Sequence, residues 1–126
     1  MLKNLLQKNP TRGEDVLLCF SSEQPEIYKG IDHTFTLHIR YAPDRDILPL
    51  KSFNEWHTSL RKETWENVEA LAGEILNIFY DTILPLWIDI CLEHKNDDGT
   101  TQRILLSKSQ PQFKASYNLK ELIDKR

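Results

Sequence analysis

The side chains best suited to chemistry in this chain are two thiols, Cys19 and Cys91, four imidazoles, and several carboxylates and lysines beside turns. Cys19 opens the run Cys19-Phe20-Ser21-Ser22-Glu23-Gln24-Pro25-Glu26, so an acid follows the thiol closely. A thiolate is a strong nucleophile, and a nearby acid can supply a proton. The competing reading of Cys19 is a free structural cysteine inside an apolar strand. Glu66 is a carboxylate of the kind that accepts paired N–H donors from the edge of a purine or pterin. As a first-turn acid it is equally explained by the helix dipole, and Glu63 and Glu69 compete with it. Lys51 can hold a phosphate as a point charge or simply sit in solvent. His33 and His38 fall in one expected strand but on opposite faces, and His57 and His94 are isolated, so no metal site is expected. The 4 glycines do not cluster, so no glycine-rich phosphate loop is expected.

The elements that must position these groups follow from the periodicity. Val16 to Phe20 is an apolar run that reads as a strand, and Ser21 to Gly30 reads as a loop punctuated by Pro25. From Thr34 to Tyr41 the residues alternate, with Phe35, Leu37, Ile39 and Tyr41 on one face. Ala42 to Asp46 makes a turn, and a third strand is expected from Ile47 towards His57, with Pro49 marking an edge or a bulge. The period then changes to that of a helix over Trp65 to Phe79, with Thr64 as its cap and Pro85 beyond its end. Leu86 to Glu93 alternates again, Asn96-Asp97-Asp98-Gly99 turns the chain, and Thr100 to Leu106 pairs back. Asn118 is expected to cap a short last helix, Leu119 to Lys125.

These readings predict an α+β protein. An antiparallel sheet of four to five strands carries one long helix, continuous or broken in two, on one face, with a short C-terminal helix added. His38, Arg40, Asp89 and Glu93 then lie on the other face, which would be solvated in a single chain.

Hydrophobic residues make up 40% and charged residues 28% of the sequence, enough apolar material for one domain with its own core. The whole chain, 1–126, is read as that domain, with its core at about 15–107 and terminal extensions at 1–14 and 108–126. A net charge of −3 argues against non-specific nucleic-acid binding. No apolar run is long enough to span a bilayer, and Met1 to Lys8 does not read as a secretory signal. The expected location is the cytoplasm, with both thiols reduced.

Three short stretches carry a resemblance: Tyr41-Ala42-Pro43-Asp44, then Leu50-Lys51-Ser52-Phe53, then Ser59-Leu60-Arg61. In wording and spacing they resemble the tunnelling-fold family, in particular the NADPH-dependent 7-cyano-7-deazaguanine reductases of queuosine biosynthesis, over Phe35 to Ser107. The resemblance implies a homo-oligomer whose sheets join between subunits into a barrel. It implies a purine-like ligand held by Glu66 and NADPH held by Lys51 and Ser52. It also implies oxidoreductase chemistry, in which a cysteine attacks a nitrile to give a thioimide that NADPH reduces. Cys19 with Glu26 as its proton donor fits that role if an insertion loops out between Tyr28 and Asp32. Alignment without a gap instead puts Glu26 in the nucleophile's place and turns Cys19 into the core. Pro49, Asn54 and Lys62 replace the family's glutamate, second lysine and asparagine. Two alternatives follow from these departures. One is a catalytically inactive protein that binds a purine or pterin or only assembles. The other is an amidinotransferase-type relative, which forms the thioimide without NADPH.

Overall fold

In the computed structural model, residues 5–125 are described; Met1 to Asn4, half of the stretch read for a leader, lie outside them. Two short strands, β1 (Gln7–Lys8) and β4 (Asp46–Ile47), pair with each other. The main sheet is antiparallel, built from β2 (Leu18–Ser21), β3 (Thr36–Ala42), β5 (Trp87–Lys95) and β6 (Thr101–Ser109), in that spatial order. Between β4 and β5 the chain forms α1 (Leu50–Lys62) and α2 (Val68–Ile83), and after β6 it forms α3 (Tyr117–Asp124).

The alternation read in the sequence sets the two faces of the sheet. Ile39 pairs with Phe20 and Ile90, and Tyr41 with Leu18 and Ile88. Partners across a ladder point to the same side, so these residues form one apolar face. Leu37, Ile39, Tyr41, Ile88, Ile90 and Leu92 are fully buried there. Each such side chain contributes about 2 kcal/mol through its removal from water. α1 and α2 cover this face. Phe20 of β2 stacks on Phe53 of α1 at 4.4 Å, and Trp56 of α1 meets Phe79 of α2 edge-on at 4.9 Å.

The expected strand from Ile47 to His57 is corrected: only Asp46–Ile47 is extended, and Leu50 begins α1. Phe53, His57 and Leu60 recur at helical spacing and are the buried residues of α1. Pro49, at φ −63°, occupies the N-cap position, where its missing N–H costs no helical bond. The second helix also starts later than expected. Asn67, not Thr64, is its cap and accepts from the Ala70 amide. It ends at Leu84, which has a positive φ of 51°, directly before Pro85, which cannot continue a helix. Ser116, rather than Asn118, caps α3 through the Leu119 amide.

The other face of the sheet carries the polar partners. Cys19, Arg40, Asp89 and Ser107 form one row across it. Arg40 donates to both oxygens of Asp89, at 3.1 and 2.7 Å, and lies 5.4 Å from the centre of the Trp87 ring. That bidentate fork is the strongest geometry an ion pair has. The face is not wholly solvated as expected, because Arg40 also donates to the Ile123 carbonyl at the end of α3, at 2.8 Å. No helix among the described residues is long and apolar enough to cross a membrane.

The Arg40 and Asp89 side chains are only 14% and 10% exposed, so each depends on the other to offset its lost hydration. Asp89→Ala is expected to cost about 3 kcal/mol, since it leaves a guanidinium without its counter-charge. Replacing both residues together (Arg40→Met with Asp89→Leu) is expected to cost clearly less. Urea unfolding of the two variants, followed by circular dichroism, checks the order.

Candidate functional site

The loop after β2 and the connector between α1 and α2 are joined by backbone. Glu26 and Phe35 exchange both of their main-chain hydrogen bonds, at 2.9 and 3.0 Å. This closes the loop so that its tip reaches the helices. There the Lys29 amide donates to the Arg61 carbonyl at 3.2 Å, and the Trp65 amide donates to the Lys29 carbonyl at 2.8 Å. Gly30 makes the contact possible. Its φ is +89°, and a Cβ built there would sit 2.2 Å from the Trp65 carbonyl oxygen. Only glycine tolerates both conditions. On the connector side, the Trp65 indole N–H donates to the Leu60 carbonyl at 2.8 Å.

Two sets of side chains meet on this frame. In the first, Glu26 pairs with Arg61, and beneath them the Tyr28 hydroxyl lies 2.6 Å from Nε2 of His57. Tyr28 and His57 are both buried. Burial raises the tyrosine pKa far above its usual value, with the Glu26 charge adding to the effect. Burial also lowers the His57 pKa, and the Arg61 charge lowers it further. Both effects favour the neutral pair, in which the tyrosine O–H donates to an unprotonated Nε2. Among the described residues, the buried Arg61 Nε–H has no hydrogen-bond partner.

The second set lines a shallow cavity of about 270 Å³ on the other side of Gly30. Glu66, Glu69, His33 and Gln102 surround it, with buried Phe35 at its floor. Glu66 lies just before the Asn67 cap of α2, and its carboxylate is exposed. The cavity falls short of the roughly 300 Å³ at which enclosed small-molecule sites begin. The exposed carboxylate of Glu66 lies at its rim.

The remaining candidates lie elsewhere. Cys19 is exposed, not turned into the core, and it sits on the face of the sheet away from α1 and α2. The thickness of the sheet separates it from Glu66. Desolvation raises its pKa, outweighing the nearby Arg40 charge, so the thiol is not an activated thiolate. Glu26 is on the helix side and is engaged by Arg61. Lys51 and Ser52 belong to the first turn of α1, not to a strand. They lie roughly 15 Å along that helix from Arg61, at 1.5 Å per residue. Among the described residues, no group of three His, Cys, Asp or Glu side chains could hold a metal ion. Tyr28, His57 and Gly30 escaped the sequence reading. The signal for His57 was its helical spacing between Phe53 and Leu60, hidden once that segment is taken for a strand. The chain matches no protein-family model and no curated protein.

The neutral histidine gives a pH dependence of defined sign. His57 has a folded pKa below its unfolded value of about 6.5, so the unfolded chain binds more protons as the pH falls. Its stabilising contribution is complete above about pH 6.5 and is lost as the pH drops from there towards the folded value. His57→Phe is expected to flatten this part of the stability curve. Urea midpoints of both proteins from about pH 7.5 to about pH 5 check it, and parallel curves would show that His57 does not carry the linkage.

Proposed function

We propose that this chain is a tunnelling-fold protein of the 7-cyano-7-deazaguanine reductase type that binds a purine-like base through Glu66 and has lost nitrile reduction. The order β2, β3, α1, α2, β5, β6, with the four strands side by side in sequence order, supports the fold. The observation that carries the functional reading is the cavity beside Gly30, whose lining includes the exposed Glu66. A carboxylate can accept two N–H donors from the amidine-like edge of a guanine or pterin.

The loss of nitrile chemistry rests on Cys19. Thioimide formation needs the thiol within reach of the bound ligand, and the sheet lies between them. The amidinotransferase alternative fails on the same requirement. NADPH reduction has a second obstacle, since Lys51 and Ser52 sit at the far end of α1 from the connector. The shallow cavity and the unpaired outer edge of the nine-residue strand β6 support assembly into a homo-oligomer, in which a neighbouring subunit completes each site. The expected location remains the cytoplasm.

Thermal-shift titrations with guanine-like and pterin-like bases test the ligand class. A ligand at 100 times its Kd stabilises by about 2.7 kcal/mol, so wild type is expected to melt several degrees higher. Glu66→Gln is expected to weaken binding about tenfold or more, because one acceptor becomes a donor. If no base shifts wild type, the base-binding reading fails. If Glu66→Gln shifts as much as wild type, only the assignment of Glu66 fails.

The thiol has its own test. Cys19→Ser is expected to leave the thermal shift unchanged, and wild type incubated with 7-cyano-7-deazaguanine is expected to gain no mass. A covalent adduct on Cys19 would restore the nitrile reductase reading.

A further inference from the structure

Among the described residues, the C-terminal helix reaches the open face of the sheet. α3 is held at both ends. At its start, the Ser116 hydroxyl caps the helix and donates to Asp15 at 2.8 Å. At its end, Arg40 Nη1 donates to the carbonyls of Ile123 at 2.8 Å and Lys125 at 3.4 Å. A cation at a helix C-terminus meets the negative end of the dipole and the carbonyls that lack partners. Between these ties the hold is thin, since Leu119 is the only buried residue of α3.

Arg40 does not depend on α3 for its position. Its Nε and Nη2 are committed to Asp89, and its guanidinium lies against Trp87. With α3 gone the fork would remain in place, and Nη1 would meet water. The helix, by contrast, depends on the sheet. Its eight residues are too few for a stable helix in water, where about 12–15 are needed. Detachment therefore melts α3 and leaves the sheet whole, as expected for a unit of low local stability. Beside the docked helix the same face forms an open cavity of about 720 Å³ lined by His38, Asp89, Cys91 and Arg103. Asp89 is shared between that cavity and the ion pair that holds the helix.

We propose that α3 is a releasable latch on the open face of the sheet, seated on the Arg40–Asp89 pair and covering a surface that becomes accessible when it lifts. The latch stands on contacts within one chain. Its consequence rests on the proposed assembly: in a barrel, this face is the tunnel wall, and a seated α3 narrows the tunnel.

Hydrogen exchange read by mass spectrometry tests the latch on the full chain. In wild type, the α3 amides are expected to exchange on the order of 100-fold faster than those of β3 and β5. Leu119→Ser is expected to bring α3 to unstructured rates and to leave β3 and β5 protected. Should Leu119→Ser fail to fold, Ser116→Ala provides the same comparison by removing the cap. Exchange of α3 only together with β3 and β5, in wild type, would overturn the latch. So would loss of β3 and β5 protection in a folded variant. Sedimentation decides the consequence separately. If wild type and the variant are both monomers, the tunnel reading and the assembly behind it fail, while the exchange data still decide the latch.

Discussion

Strands β3 and β5 pair over seven residues, from Thr36 with Glu93 to Ala42 with Trp87, and strict alternation along both divides the molecule in two. Leu37, Ile39 and Tyr41 meet Leu92, Ile90 and Ile88 on one side. A slip of one residue would carry every one of these to the opposite face. With the register fixed, α1 and α2 have one place to lie, and the loop after β2 has one pair of helices to reach. The Gly30–Trp65 contact, and with it the cavity at Glu66, is a consequence of that placement. Neither segment could form the site without the other, because the hydrogen bonds that align them run between their main chains.

The same register places opposite charges together on the other face. Arg40 and Asp89 are direct neighbours across the ladder, and the two strands between which they pair are the most enclosed of the sheet. A buried ion pair adds little net stability against an apolar alternative, yet its loss by halves is costly. Such a pair acts as a register mark. It disfavours any pairing of β3 and β5 that leaves one charge without the other. It also furnishes the donor to which α3 is tied, so one interaction serves both the sheet and the helix laid on it.

Period-two alternation made β3, β5 and the hairpin at Asn96 to Gly99 legible, because strand faces depend on neighbours in sequence. The α1 segment was misread for a physical reason. Pro49 argues against a strand ladder, but a proline is equally at home at a helix start. Leu50, Phe53, His57 and Leu60 carried the helical spacing, but a frame begun at Ile47 concealed it. Contacts between distant residues left no trace in periodicity. Glu26 and Arg61 are 35 positions apart, and Arg40 and Asp89 are 49. The need for glycine at position 30 arises only when the connector arrives beside it.

The pairing of Glu26 with Arg61 stiffens the frame beside the cavity. Glu26 binds Arg61 on the helix side of the sheet. A carboxylate in that position cannot form a thioimide. What it can do is fix Arg61, whose carbonyl receives the Lys29 amide and so holds the tip of the loop. Beneath it, the neutral Tyr28–His57 pair fills the space with a hydrogen bond that needs no counter-charge. Rigidity in the frame lowers the ordering cost of any ligand that binds beside it.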